Sequence, residues 1–161
     1  METPTLQQKI KVIEIEISNR YPRLSNPEKR TELICRCLAN SDYTISPGTL
    51  SIAFVDNNTL SKIHEDFLGD PNPTDVITFN ANPSANSSGE ICISVDQAII
   101  QAEHYHTNLS DELTLYLVHG WLHLHGLKDK SESEIEEMRS AEQKALDAIQ
   151  AIPKVEPYRL Q

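Results

Sequence analysis

Three side chains able to bind a transition metal lie within eleven residues of one another in the C-terminal half of the chain. His119 and His123 are four residues apart, and Asp129 follows six residues later, beyond Gly126. Because residues i and i+4 share one face of an α-helix, the two imidazoles can bind the same ion. Gly126 favours a left-handed helix end, and a chain reversal there can return Asp129 to that ion. The pattern predicts a helix with a metal site whose ligands are His119, His123 and Asp129.

Three protein ligands and an open fourth position are typical of catalytic rather than structural zinc. We therefore expect one Zn²⁺ per chain, with a metal-bound water as the nucleophile. Peptidases of the His-Glu-x-x-His type use the Glu after the first His as general base, but here that position is Gly120. A metal-dependent peptidase or amidase stays an alternative, although its usual base is missing.

Four motifs of the chain resemble those of one known family. Residues 119–126 read His-Gly-Trp-Leu-His-Leu-His-Gly, and this segment closely resembles the signature of the YbeY family of bacterial endoribonucleases, or rRNA maturation factors. The other similar motifs follow the family's order: Pro-Thr-Asp-Val-Ile-Thr-Phe at 73–79, Gly-Glu-Ile-Cys-Ile-Ser at 89–94, and the spacing of Glu134, Met138 and Glu142. The resemblance covers roughly residues 50–149 and implies that family's fold, a small sheet covered by helices.

The sequence departs from the family pattern at two positions. The family's third ligand is usually His, and the matching residue is Asp129, which is also a competent zinc ligand. The family commonly has an Arg shortly before its Pro-Thr-Asp-Val motif, and the matching residue is Leu68. Leu68 keeps open a second alternative, a ribosome-assembly factor in which zinc is structural and catalysis is weak or absent.

The resemblance implies a zinc-dependent, single-strand-specific endoribonuclease for small-subunit rRNA 3′-end maturation and ribosome quality control. The implied partners are rRNA and the small ribosomal subunit, with no membrane and no DNA. No residue is assigned as general base. The candidates for a catalytic role are Asp75, which could instead cap a turn, His64 on the helix before it, and Lys128 beside the third ligand.

The composition limits how the chain can bind RNA. A formal charge of −10 over 161 residues argues against a general RNA-coating protein, because such proteins neutralise phosphates with Lys and Arg. This charge is compatible with an enzyme whose positive charge is concentrated at a metal ion and a few basic residues.

The chain has no membrane-spanning apolar run and its N-terminus lacks a secretory pattern, so we expect a cytoplasmic protein. Cys35, Cys37 and Cys92 are expected to be buried, reduced thiols.

Hydrophobic periodicity predicts the elements that position the site. Strands are predicted at 9–18, 50–55, 76–79 and 90–95, helices at 27–39, 57–67, 97–107, 111–125 and 131–149, and a flexible surface loop at 80–89. The predicted N-caps are Asn26, Asp56, Asp96 and Ser110. Together with the resemblance, this order predicts an α+β fold with a small mixed four-stranded sheet covered by helices. We expect a single domain over residues 1–161, in which 150–161 form an extended tail.

Overall fold

The computed structural model describes residues 13–70, 72, 74–152 and 156–161. The strands are β1 (Ile13–Asn19), β2 (Leu24–Ser25), β3 (Gly48–Val55), β4 (Val76–Phe79), β5 (Ser87–Ser94) and β6 (Arg159–Leu160). The helices of the described residues are α1 (Glu28–Ala39), α2 (Asn57–Leu68), α3 (Val95–His104), α4 (Leu109–His125) and α5 (Glu132–Gln150), with a 3₁₀ turn at Pro83–Ala85. The part of the first predicted strand at 9–12 lies outside the described residues.

The main sheet has the order β1-β3-β5-β4. Strands β1, β3 and β5 run parallel to one another, whereas β4 pairs antiparallel with β5 at the edge. Strands β2 and β6 form a separate antiparallel pair, which attaches the C-terminal residues to the segment before α1. The α+β class and the mixed four-stranded sheet are thus confirmed.

Helix α4 lies between the sheet and α5, and this position fixes the face that carries the histidines. Its apolar residues Leu113, Leu117 and Trp121 are fully buried. The sheet supplies the opposite wall of the core through Leu50, Ile52, Phe54, Ile91 and Ile93, and α5 contributes Met138, Ala141, Ala145 and Ile149. Burial of side chains of this size contributes about 1.5–3 kcal/mol each, so rotation of α4 about its axis is strongly opposed.

The predicted N-cap of α3 is wrong. Ser94 caps this helix, since its Oγ accepts the Gln97 N–H at 3.0 Å. The carboxylate of Asp96, which was the predicted cap, instead accepts the Tyr21 hydroxyl at 2.6 Å and the Asn57 N–H at 2.8 Å. These partners come from distant parts of the sequence, and they draw the Asp96 side chain away from the helix end.

The predicted N-cap of α4 is wrong for a similar reason. Asn108 caps this helix by accepting the Asp111 N–H at 2.9 Å. The hydroxyl of Ser110 instead accepts the backbone N–H of Tyr158 at 3.0 Å, from the C-terminal segment. The α2 cap is confirmed, because Asp56 accepts the Thr59 N–H at 2.7 Å.

Three further expectations need correction. Helix α1 begins at Glu28 with Pro27 at the cap position, and no side chain caps it, so Asn26 does not act as predicted. The loop at 80–89 is shorter than expected, because Asn82 exchanges backbone hydrogen bonds with Ser87, where β5 already begins. Cys35 is buried, whereas Cys37 and Cys92 are only partly buried.

No helix of the described residues is both long and apolar enough to cross a membrane.

Candidate metal centre

The end of α4 brings three ligand atoms together. Nε2 of His119 and Nε2 of His123 are 2.9 Å apart. The helix ends at Gly126, which adopts a left-handed conformation with φ 119°. The chain then turns back and places Oδ2 of Asp129 at 3.3 Å from each of the two Nε2 atoms. The structure therefore brings together all three residues that the motif spacing predicted as ligands.

The other nitrogen of each imidazole has its own acceptor. Nδ1 of His123 lies 2.9 Å from the carbonyl oxygen of Leu127, and Nδ1 of His119 lies 3.3 Å from Oε2 of Glu142. A carbonyl or carboxylate oxygen only accepts, so both Nδ1 atoms must carry the hydrogen and donate it. In the neutral rings both Nε2 atoms then present lone pairs to each other and to the Asp129 carboxylate. Three such atoms repel unless a cation lies between them.

The separations fit a tetrahedral transition-metal site. Zinc bonds of about 2.0–2.1 Å at a tetrahedral angle place neighbouring donor atoms about 3.3 Å apart. Both contacts of Asp129 have this length, and the imidazole pair is slightly closer. The side chains of His119, His123 and Asp129 are 22%, 26% and 41% exposed, so solvent reaches the group from the Asp129 side. This group could hold a metal ion.

The surroundings of His119 are negatively charged. Burial lowers the pKa of the His119 imidazole, but the hydrogen bond and charge of Glu142, with the charges of Asp75 and Asp129, outweigh this effect. The pKa is raised overall. A field that favours a proton on this ring also favours a metal cation beside it.

Gly120 has a packing role that excludes a side chain. A Cβ atom at this position would lie 2.8 Å from Cγ2 of Ile91 and 3.3 Å from Cγ2 of Thr78. Glycine therefore allows α4 to approach β4 and β5 closely. A glutamate in this position, as in the peptidases, would force α4 away from the sheet.

The three candidates for a catalytic role lie in different surroundings. Asp75 precedes β4, and its Oδ1 accepts the Val76 N–H at 2.8 Å, as a turn cap would. Its negative charge also contributes to the raised pKa of the His119 imidazole. His64 contacts the loop after α2, where Nδ1 lies 3.2 Å from the Asn72 carbonyl oxygen. Lys128 is exposed on the surface next to Asp129.

The contact between Glu142 and His119 was not predicted from the sequence. The two residues are 23 positions apart and lie on different helices. The only sequence signal was the spacing of Glu134, Met138 and Glu142, which carried no assigned role. A hydrogen-bonding partner of this kind depends on how α5 packs against α4, and local patterns do not report that packing.

Known proteins resemble this chain over most of its length. A family model described as endoribonuclease YbeY matches residues 14–150. The Endoribonuclease YbeY of Porphyromonas gingivalis strain W83 is 35% identical over 125 residues, which cover 76% of this chain and 83% of that protein. The Endoribonuclease YbeY of Azobacteroides pseudotrichonymphae is 29% identical over 140 residues, covering 87% and 99% of the two chains.

A solved structure supports the fold. The solution structure of a protein from Thermotoga maritima superposes with a TM-score of 0.56 at 20% identity, covering 84% of this chain and 88% of that one. The matched residues 14–150 include all four motifs and the three residues of the candidate metal centre. The chain therefore belongs to the YbeY family.

Proposed function

We propose that the chain is a zinc-dependent endoribonuclease that cleaves single-stranded RNA. The observation that carries this proposal is the convergence of two imidazole Nε2 atoms and one carboxylate oxygen, all within 3.3 Å of one another. His119, His123 and Asp129 would hold one ion per chain. The names of the P. gingivalis and A. pseudotrichonymphae relatives support the choice of RNA as substrate.

The donor set favours zinc among the common divalent ions. Two neutral imidazoles and one carboxylate suit a borderline ion such as Zn²⁺, whereas Mg²⁺ prefers oxygen ligands. When bound, such an ion supplies Lewis acidity towards phosphoryl oxygens and makes water a stronger nucleophile at neutral pH.

The residues of the chain prepare this site before any substrate arrives. Glu142 and the Leu127 carbonyl fix the orientation of the two imidazoles, and such hydrogen bonds also raise the basicity of the ligands. The exposed side of Asp129 leaves an entrance for an extended strand of RNA. Of the three candidates we favour Asp75 as the residue that accepts a proton during cleavage, because it directly precedes β4, the edge strand that packs against α4.

We further propose that the substrate is rRNA on the small ribosomal subunit, with action at its 3′ end and in ribosome quality control. The formal charge of −10 favours this choice over free RNA, because the chain offers few cations to neutralise a bare phosphate backbone. The ribosome would then supply much of the binding energy. Action on ribosomes places the proposed activity in the cytoplasm.

The test combines a purified protein with a cellular measurement. Zinc-loaded wild type should cleave a single-stranded oligoribonucleotide, and His123→Ala should lose both the metal and the cleavage. His104→Ala, which changes an exposed histidine on α3, is the matched control and should keep both. In a depleted strain, sequencing of rRNA ends should show mature 3′ ends after rescue by wild type and by His104→Ala, but not by His123→Ala.

Two outcomes would replace the proposal. Cleavage of a peptide panel without cleavage of RNA would favour the peptidase or amidase alternative. Mature rRNA ends in cells that carry a folded, metal-free His123→Ala would favour an assembly factor without catalysis.

A further inference from the structure

A cavity of about 290 Å³ lies beside the candidate metal centre, between α5 and the end of α4. It is lined by His119, Asp129, Ile135, Met138, Arg139 and Glu142. Two candidate ligands and the carboxylate that orients one of them therefore face the same space. Among the described residues that line it, Arg139 is the one with a permanent positive charge.

The guanidinium of Arg139 is available for binding. Its side chain is exposed. Within the described part of the chain, no carboxylate oxygen lies within 4.0 Å of its nitrogens, and it donates no side-chain hydrogen bond. Arg139 and Glu142 are three residues apart on α5, so they lie on one face of the helix. Arg139 thus borders the same cavity as the metal group, and its guanidinium donors are free to bind a ligand there.

The charges in the cavity favour such a cation. Asp129 and Glu142 contribute two negative charges, which a divalent ion in the site only cancels. A phosphodiester carries one negative charge, so a positive group beside the metal strengthens its binding there. The guanidinium of Arg139 adds that positive charge.

We propose that Arg139 binds a phosphate of the RNA beside the metal centre, a role that rests on the proposed endoribonuclease function. A guanidinium suits this role because it can donate two parallel hydrogen bonds to phosphate oxygens. Leu68 cannot supply a cation, and Lys128 and Lys130 lie outside the cavity lining. In this chain the phosphate-binding cation therefore comes from α5.

The test measures equilibrium binding of a short single-stranded oligonucleotide of 2′-O-methyl RNA to the zinc-loaded protein. Arg139→Gln should weaken binding about tenfold, as expected for a lost charge-assisted hydrogen bond. The slope of the logarithm of the association constant against the logarithm of the salt concentration should become shallower by about 0.7. This is the value for one phosphate contact on a single strand. Zinc content should stay unchanged, and Arg139→Lys should recover the salt slope but only part of the affinity.

Lys144→Gln is the matched control. Lys144 is exposed on the same helix, and its loss changes the net charge by the same amount, but it does not line the cavity. Equal effects of Arg139→Gln and Lys144→Gln would overturn the role of Arg139 while leaving RNA cleavage by the wild type intact. Loss of zinc from Arg139→Gln would also overturn it, because Arg139 would then support the site structurally. A wild type that neither binds nor cleaves RNA would overturn both proposals.

Discussion

Oε2 of Glu142 lies 3.3 Å from Nδ1 of His119, and this contact links α5 to α4 at the candidate metal centre. The carboxylate fixes the tautomer in which Nε2 of His119 carries the lone pair. It also adds negative charge behind the ring, which favours a cation in front of it. The position of α5 therefore affects the metal site although α5 supplies no proposed ligand.

Replacing Glu142 should weaken metal binding without removing a ligand. Hydrogen-bonding partners of this kind typically change metal affinity by about 10–100-fold. We expect Glu142→Ala to fall in this range and Glu142→Gln to lose less, because its amide oxygen can still accept the Nδ1 hydrogen. Competition with a chromophoric zinc chelator measures this difference. Unchanged affinity in Glu142→Ala would show that the Leu127 carbonyl and helix packing orient the site by themselves.

Asp129 can be tested as a ligand because another residue already caps the following helix. Ser131 caps α5 by accepting the Glu134 N–H at 3.2 Å, so Asp129 is not needed for that purpose. We expect Asp129→Ala to lose zinc, Asp129→His to retain it, and Asp129→Asn to bind it with intermediate affinity. Elemental analysis after gel filtration measures the retained zinc. Zinc retained at full occupancy in Asp129→Ala, with only a lower melting temperature, would remove Asp129 from the ligand set.

The extent to which the site could be predicted follows from how far apart its parts lie in the sequence. His119, His123 and Asp129 belong to one helix and its turn, so their spacing alone indicated a shared ion. Glu142 and Arg139 lie beside these three residues only through the packing of α5, which no local pattern describes.

The fold shows the same division between local and long-range effects. Helical periodicity located α5 within a residue at each end, since its apolar stripe is regular. Asp96 and Ser110 were wrong as caps because Tyr21, Asn57 and Tyr158 form hydrogen bonds with them from distant segments. The antiparallel position of β4 at the sheet edge likewise depends on pairing that hydrophobic alternation does not encode.

Gly120 should tolerate no side chain. In an exposed helix a Gly to Ala change is stabilising by up to about 1 kcal/mol. At this position the added methyl group would lie 2.8 Å from Ile91, and overpacking of this kind costs about 1–3 kcal/mol. We expect Gly120→Ala to lower the free energy of unfolding, as measured by urea denaturation. Stability equal to or above that of the wild type would mean that α4 can move away from β5 at little cost.

Tyr21 should contribute to stability in a way that is lost at alkaline pH. Its hydroxyl donates to Oδ1 of Asp96 at 2.6 Å. This hydrogen bond, burial and the charge of Asp96 raise the pKa of Tyr21 to about 12. Because the folded state holds the proton more tightly than the unfolded state, the contribution is complete below about pH 10, the unfolded value. It is lost as the pH rises from there through about 12.

Unfolding by urea at pH 8 and at pH 11.5 tests this expectation. At pH 8, Tyr21→Phe should be less stable than the wild type by about 1 kcal/mol, the usual value of a hydrogen bond. At pH 11.5 the difference should shrink, because the wild type then loses part of the same interaction. Tyr105→Phe is the control, since Tyr105 is largely exposed and should show little effect at either pH. A difference between Tyr21→Phe and the wild type that stays constant over this range would mean that the stabilising effect of the Tyr21 hydroxyl does not depend on its ionisation.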